Sequence, residues 1–189
     1  FVLIASFSEP NLINSGKVIF LPKGLTSLGY ERVFADAKIW NGYLNTIKST
    51  VVGTCINVAL TITCGYALSR QDLVGRSFFI LPLSLTMVFN GGLIPTYLLV
   101  KSIGIHNTIW AMVLPNAASV WNVILAKTFF QNSLPGEMLE ATQVDGCGNL
   151  RFFFQFAVPL SKALVAVMVL FYAVGHWNAY FSALMYIQN

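Results

Sequence analysis

Charge is scarce in this sequence. Asp, Glu, Lys and Arg make up 10% of its 189 residues, against about 25% in an ordinary soluble domain. A globule of this size could not cover its surface with so few solvated groups. Cysteine is scarce as well, and three in the whole chain exclude the disulfide framework of a small secreted domain. The two histidines, His106 and His176, stand far apart without the spacing of a metal site, so no metal is expected. No G-x-x-x-x-G-K followed by Ser or Thr occurs, which leaves the chain without a phosphate cradle. No Ser/His/Asp set points to nucleophilic catalysis, and basic residues do not interleave with exposed aromatics as in a nucleic-acid binder. What is abundant is apolar: 56% hydrophobic residues, 14% aromatic and a mean hydropathy of +0.69. That composition excludes disorder and leaves a membrane protein.

The charges come in clumps, and the gaps between them have bilayer length. Residues 49–69, 77–100 and 102–126 carry none, and a fourth charge-free run extends from residue 163 to the end. As helices, runs of about 20 residues cross a ~30 Å hydrocarbon core. Four membrane spans are expected, at 45–69, 77–100, 108–129 and 159–187, in one all-α domain over residues 1–189. Residues 1–8 read as the end of an earlier span, and both ends of the sequence read as incomplete. No n-region, h-region and cleavage site mark a signal peptide. Orientation stays open on charge, because Arg70, Arg76, Lys127, Arg151 and Lys162 on one side face six Lys and Arg on the other. Trp40, Tyr43, Tyr97, Trp110, Trp177, Tyr180 and Tyr186 are expected at the outer interface as an aromatic belt. Cys55, Cys64 and Cys147 are expected to be packing residues.

Two stretches lie between spans. Residues 9–44 form a loop with turn signals at Glu9-Pro10, Ser15-Gly16 and Pro22-Lys23-Gly24, and Thr26 is placed to cap a short helix reaching Asp36. Residues 131–158 form the second. Ser133 is an N-cap candidate, Pro135 suits a first turn and Glu137 complements the helix dipole. That helix is expected to break at Gly146. A second follows, with Leu150, Phe153, Phe154 and Ala157 at three- and four-residue spacing. On periodicity alone the pair is either an amphipathic surface loop or a docking knob.

The run Glu140-Ala141-Thr142-Gln143-Val144-Asp145-Gly146, followed by Phe153 and Pro159-Leu160, resembles the EAA loop of ABC-importer permease subunits. Thr142 and Cys147 depart from that pattern where it has alanines, and both are small. Gly65-Tyr66-Ala67-Leu68-Ser69-Arg70, Gly75-Arg76, Asn107-Thr108 and Trp177-Asn178 are similar to segments of the maltose-type carbohydrate-uptake branch, and nearest within it to permeases of complex oligosaccharides. The resemblance implies a polytopic helix bundle of the type I importer architecture with a cytoplasmic coupling helix. It implies that Met138, Leu139, Glu140, Ala141, Thr142, Asp145 and Gly146 contact an ATPase, Glu140 through its carboxylate. It further implies a bacterial cytoplasmic (inner) membrane location, a second permease subunit, two cytoplasmic ATPase subunits holding ATP and Mg2+, and an extracytoplasmic solute-binding protein. The chain itself would hold no cofactor and catalyse nothing. An ion-driven secondary transporter, an ABC permease for a solute other than sugar, and a scaffold without transport are the alternatives.

Polar residues within spans need partners or water. Asn57, Thr61 and Thr63 read first as helix-packing groups. Asn90-Gly91-Gly92 ahead of Pro95 is placed to open a helix toward a cavity. Trp121-Asn122 and His176-Trp177-Asn178 each set an aromatic face beside polar groups, as a sugar ring prefers. Asn90, Trp121, Asn122, His176, Trp177 and Asn178 are therefore the expected substrate-path residues.

Overall fold

The computed structural model describes residues 2–16, 21 and 24–187. The expected turn at Pro22-Lys23-Gly24 lies mostly outside these residues, as do Lys17, Lys23, Phe1 and the final two positions. Contacts divide the chain into residues 1–46 and 47–189.

In the first unit, α1 (Val2–Ser6), α2 (Pro10–Asn14) and α3 (Leu28–Ala35) precede the start of α4 (Ala37–Ser69), which runs on into the second unit. A single antiparallel bridge joins Ser8 and Leu25. Ser6 Oγ lies 3.0 Å from Tyr30 Oη, and the Phe7 and Tyr30 rings are 5.1 Å apart. Thr26 Oγ1 accepts the Leu28 N–H at 3.2 Å, but the N-cap of α3 is Ser27, one residue later than expected. Asp36 separates α3 from α4 and accepts the Lys38 N–H at 2.9 Å, so α4 opens on an acidic cap.

The second unit holds most of α4, then α5 (Arg76–Val88), α6 (Leu93–Ser102), α7 (Ile109–Val113), α8 (Val120–Ser133), α9 (Gly136–Val144), α10 (Asn149–Phe152), α11 (Val158–Leu160), α12 (Lys162–Trp177) and α13 (Tyr180–Tyr186). A 3-10 turn, Leu114–Asn116, extends α7, and a π-helical turn, Phe153–Ala157, links α10 to α11. Among the described residues, only α4 is by itself long and apolar enough to cross a bilayer. Three bent pairs pass the same test together: α5 and α6, bent by 117°, Ile109–Asn116 and α8, bent by 53°, and Asn149–Leu160 and α12, bent by 79°. Each bend has a local cause. Asn90 Oδ1 accepts the Gly92 N–H at 3.0 Å and Gly92 turns at φ 87°. Pro115 stands inside the 3-10 turn. Ser161 leaves helical geometry after Pro159. The expected run at 159–187 also ends early, because α12 stops at Trp177 and α13 starts anew.

The buried face of α4 repeats every four residues: Ser49, Gly53, Asn57, Thr61 and Gly65. Such spacing keeps small and polar groups on one stripe and lets neighbouring helices come close. A Cβ on Gly65 would lie 2.6 Å from that of Ala126 on α8. The core that forms there comprises Ile62, Ala126, Phe130, Phe152, Phe153, Ala157, Leu164, Met168 and Tyr172. A smaller cluster of Val100, Ala111 and Tyr186 ties α6, α7 and α13 together. Tyr186 is thus buried and its ring stacks on Tyr97 at 6.2 Å, so this tyrosine packs inward while Trp110, Trp177 and Tyr180 are exposed. Cys55 and Cys64 are exposed on α4 rather than packed in the core.

Candidate functional site

Two features of the second unit carry chemistry, a short protruding helix and a polar cleft.

The protrusion is α9. Ser133 does not cap it, because that residue completes α8, and Pro135 takes the N-cap with φ −59° and ψ 140°. Met138 and Leu139 are half-buried against the core, and the half-buried Thr142 donates to the Leu139 carbonyl at 2.8 Å. Glu137, Glu140, Ala141, Val144 and Asp145 face outward. The expected coupling residues therefore split between a seated face and a free one. Val144 is 88% exposed. The helix ends in a Schellman motif, with Gly146 N–H donating to the Gln143 carbonyl at 3.0 Å and Cys147 N–H to the Thr142 carbonyl at 2.9 Å. Asp145 is the C-cap, but Gly146, at φ 76°, makes the turn. A Cβ there would touch nothing within 4 Å, so Gly146→Ala meets only the left-handed backbone penalty of about 1–2 kcal/mol. Faster amide exchange across α9 in that variant is the expected result, and unchanged exchange would remove the role given to Gly146.

Beyond the turn, the expected apolar face changes register. The π-helical turn inserts an extra residue, so Phe152, Phe153 and Ala157 are buried while Leu150 and Phe154 point out. Tyr66 of α4 meets this segment, its ring 5.0 Å from Phe153, 6.4 Å from Phe152 and 5.7 Å from Phe130. Arg70 follows one helical turn later and uses all three of its nitrogens. Nε donates to Asp72 Oδ1 at 2.7 Å and one terminal nitrogen to Asp72 Oδ2 at 2.6 Å. The other donates to Tyr66 Oη at 3.1 Å, and a longer 3.4 Å contact reaches Asn149 Oδ1. The fork holds the Asp72 carboxyl below the usual carboxylate range and raises the Arg70 guanidinium further. A cleft of about 340 Å³ runs between this group and α9, lined by Arg70, Asp72, Gln131, Leu139, Glu140 and Gln143. Arg70 enters the sequence reading as a loop charge and as the last residue of the 65–70 segment, and nothing local marks Asn149 as its partner.

The polar cleft forms where α7 gives way to α8. Breaking a helix frees backbone groups that need partners at membrane depth. Asn57 Nδ2 donates to the Asn116 carbonyl at 3.2 Å, and the Ser119 N–H donates to Tyr172 Oη at 3.2 Å. Two further contacts complete a ladder: Asn57 Nδ2 to His176 Nε2 at 3.1 Å, and Thr61 Oγ1 to Tyr172 Oη at 2.6 Å. Asn57 and Thr61 on α4, and Tyr172 and His176 on α12, are each four residues apart, so two antiparallel helices present matching rungs. Gly53 makes room for the imidazole, since a Cβ there would lie 2.5 Å from His176 Nε2.

Of the six expected path residues, His176 and Asn178 line one cleft, which holds about 440 Å³. The other four lie elsewhere. Asn90 is exposed and caps its own turn. Trp177 is 51% exposed beside the buried His176. Trp121 and Asn122 do not share a face, because consecutive helical residues point about 100° apart: Trp121 is 58% exposed and Asn122 is buried. Asn57, Asn116, Ser119, Tyr172 and Ser182 are polar lining residues that the sequence reading did not select for this role. The four-residue spacing of polar groups on α4 and α12 is the signal that marks Asn57 and Tyr172.

No family model matches the chain. Over its whole length it is 38% identical to the polygalacturonan/rhamnogalacturonan transport system permease protein YtcP of Bacillus subtilis, and 38% identical to Protein LplC of the same organism. It spans 65% and 64% of the lengths of those two relatives. The arabinooligosaccharides transport system permease protein AraQ of Halalkalibacterium halodurans is 28% identical over all of this chain and 69% of its own length. Among solved structures, a bacterial ABC transporter involved in the import of the acidic polysaccharide alginate contains a chain that superimposes with a TM-score of 0.94. That chain is 30% identical, and the match covers 100% of this chain and 67% of that one.

Proposed function

This chain belongs to the permease subunits of sugar ABC transporters, and on that premise we propose that it forms half of a carbohydrate translocation pathway driven by a partner ATPase. The cargo class is an oligosaccharide, delivered by an extracytoplasmic solute-binding protein. The assembly contains a second permease chain and two cytoplasmic ATPase subunits, which hold ATP and Mg2+, and it sits in the bacterial cytoplasmic membrane. Residues 131–158 face the cytoplasm in this reading.

The observation that carries it is α9. Its Met138–Leu139 face is seated on the core while Glu140, Ala141 and Val144 stand free, and a Schellman turn closes it one residue past Asp145. A lever passes motion inward best when it is short, closed at its end and exposed on its far side, and these features of α9 support the reading. Glu140 supplies a carboxylate for a basic residue of the ATPase. Glu140→Lys places like charges together, which costs several kcal/mol, so docking should weaken at least about tenfold. The expected result in proteoliposomes is lost sugar uptake and lost stimulation of ATP hydrolysis by the loaded binding protein. Normal stimulation in that variant would overturn the assignment. Family membership argues against an ion-driven carrier, and the same vesicles separate the two readings: uptake should stop when ATP is depleted and continue when ion gradients are collapsed.

A further inference from the structure

We propose that the cleft between α4, the break at 114–119 and the end of α12 is a binding subsite for the uncharged, hydroxyl-bearing part of a sugar. Asn57, Ser119, Tyr172, His176, Asn178 and Ser182 read it. The inference rests on the permease reading above and says what this chain takes from the cargo.

Volume is the first argument. About 440 Å³ falls within the range of small-molecule sites, roughly 300–1,000 Å³. Lining is the second: in a chain that is 56% hydrophobic, this cleft gathers two hydroxylated serines, a tyrosine, a histidine and three asparagines. Polar groups in a membrane interior are costly without a role. Helix repair accounts for part of the set, since Asn57 and Tyr172 satisfy the broken backbone at Asn116 and Ser119.

It does not account for all of Asn57. The amide nitrogen has two hydrogens, one spent on the Asn116 carbonyl and one on His176 Nε2. The carbonyl contact fixes which way the amide points, because the reverse would set two oxygens face to face. Oδ1 is left without a partner among the described residues, on a side chain only 2% exposed. A buried acceptor of this kind calls for a donor, and a sugar hydroxyl supplies one. His176 is neutral in this arrangement, since Nε2 accepts and the proton sits on Nδ1.

Charge gives the chemical class. No Lys, Arg, Asp or Glu lines the cleft, and the one imidazole is committed to Asn57. A sugar carboxylate entering it would lose water without gaining a counter-charge. Hydroxyls gain donors and acceptors, and Met112 and Phe181 offer apolar surface to the ring carbons. The cleft therefore favours a neutral unit, and recognition of any sugar carboxylate lies outside it.

The test uses the complete purified transporter with this chain at its full length, carrying Cys55→Ala, Cys64→Ala, Cys147→Ala and Ser182→Cys. Ser182→Cys places a thiol at the cleft without touching the hydrogen-bonded ladder. Its labelling by a small methanethiosulfonate is followed by mass spectrometry with excess trigalacturonate or its fully methyl-esterified form. The expected result is slowing on the order of tenfold by the ester, as for a ligand that fills a site of this size, and weaker protection by the free acid. Asn57→Leu should abolish the protection. Equal labelling with and without sugar, in a transporter that still imports trigalacturonate with ATP, would overturn the subsite alone. Stronger protection by the free acid would overturn the hydroxyl assignment. Failure of the transporter to take up any of a panel of neutral and acidic oligosaccharides with ATP would overturn the permease reading, and this inference with it.

Discussion

Gly65→Val is expected to be the most damaging single substitution in the bundle. A Cβ at Gly65 lies 2.6 Å from Ala126 Cβ, 3.1 Å from the Lys127 backbone nitrogen and 3.2 Å from the Ala126 carbonyl carbon. None of these belongs to a flexible side-chain end, so relief requires that α4 and α8 separate. Overpacking in a well-packed core costs about 1–3 kcal/mol and occasionally more. Here the branched side chain acts against backbone, and the upper end of that range applies. Separation would also pull Tyr66 away from Phe130 and Phe153. The measurement is the midpoint of thermal unfolding of the purified complex, with Gly42→Ala as the comparison. Gly42 lies on α4 with nothing within 4 Å of its Cβ position, so that variant should be neutral or more stable by up to about 1 kcal/mol. Equal midpoints for the two variants would show that the α4–α8 contact is looser than 2.6 Å implies.

Arg70→Ala is expected to leave the protein folded and separate ATP consumption from transport. Arg70 holds Asp72 in a fork, bonds Tyr66 and reaches Asn149, so it fastens the end of α4 to the segment that follows α9. With the fastening gone, motion of α9 is absorbed in the loop rather than passed to α4. Arg70 is a positioning residue, and the readout is the number of ATP molecules hydrolysed per sugar imported, which should rise roughly tenfold if one such contact is lost. Arg70→Lys should fail to restore the ratio, because an ammonium cannot reproduce a planar fork that also serves a third partner. An unchanged ratio in both variants would remove this role. The pH dependence follows from the lowered Asp72 carboxyl. A group depressed in the folded state contributes stability above its unfolded value, near 3.9. That contribution is lost only as pH falls through the lower folded value. The Arg70–Asp72 fork is intact throughout the neutral range.

How much of this is legible in the sequence depends on the range of the interaction. The small-and-polar stripe Ser49, Gly53, Asn57, Thr61, Gly65 can be read directly, since a four-residue repeat reports one helix face. The break at Asn90-Gly91-Gly92 can be read too, because a glycine pair after an asparagine has a local turn chemistry. The size of the bend has no such local signal, and the 117° between α5 and α6 cannot be read from the turn residues alone. Trp121 and Asn122 show the opposite error. Neighbours in sequence look like one surface, yet the helical rotation sends one to the outside and the other into the core. His176 and Asn57 are 119 positions apart, and no spacing rule joins them before the fold does. The π-helical turn at Phe153–Ala157 is equally silent, because its extra residue is accepted for the sake of burying Phe152, Phe153 and Ala157 together.

One helix has a further consequence through its length. The 33 residues of α4 rise about 50 Å, while the hydrocarbon slab is ~30 Å thick. Roughly a dozen residues must then emerge or the rod must lean. Lys38 and Lys48 fall in the first dozen positions, which assigns the surplus to that end and anchors it among the headgroups. A beam with a fixed overhang can change its slant without dragging charge through oil, so thickening the bilayer should alter the angle of α4 long before it alters the number of residues immersed.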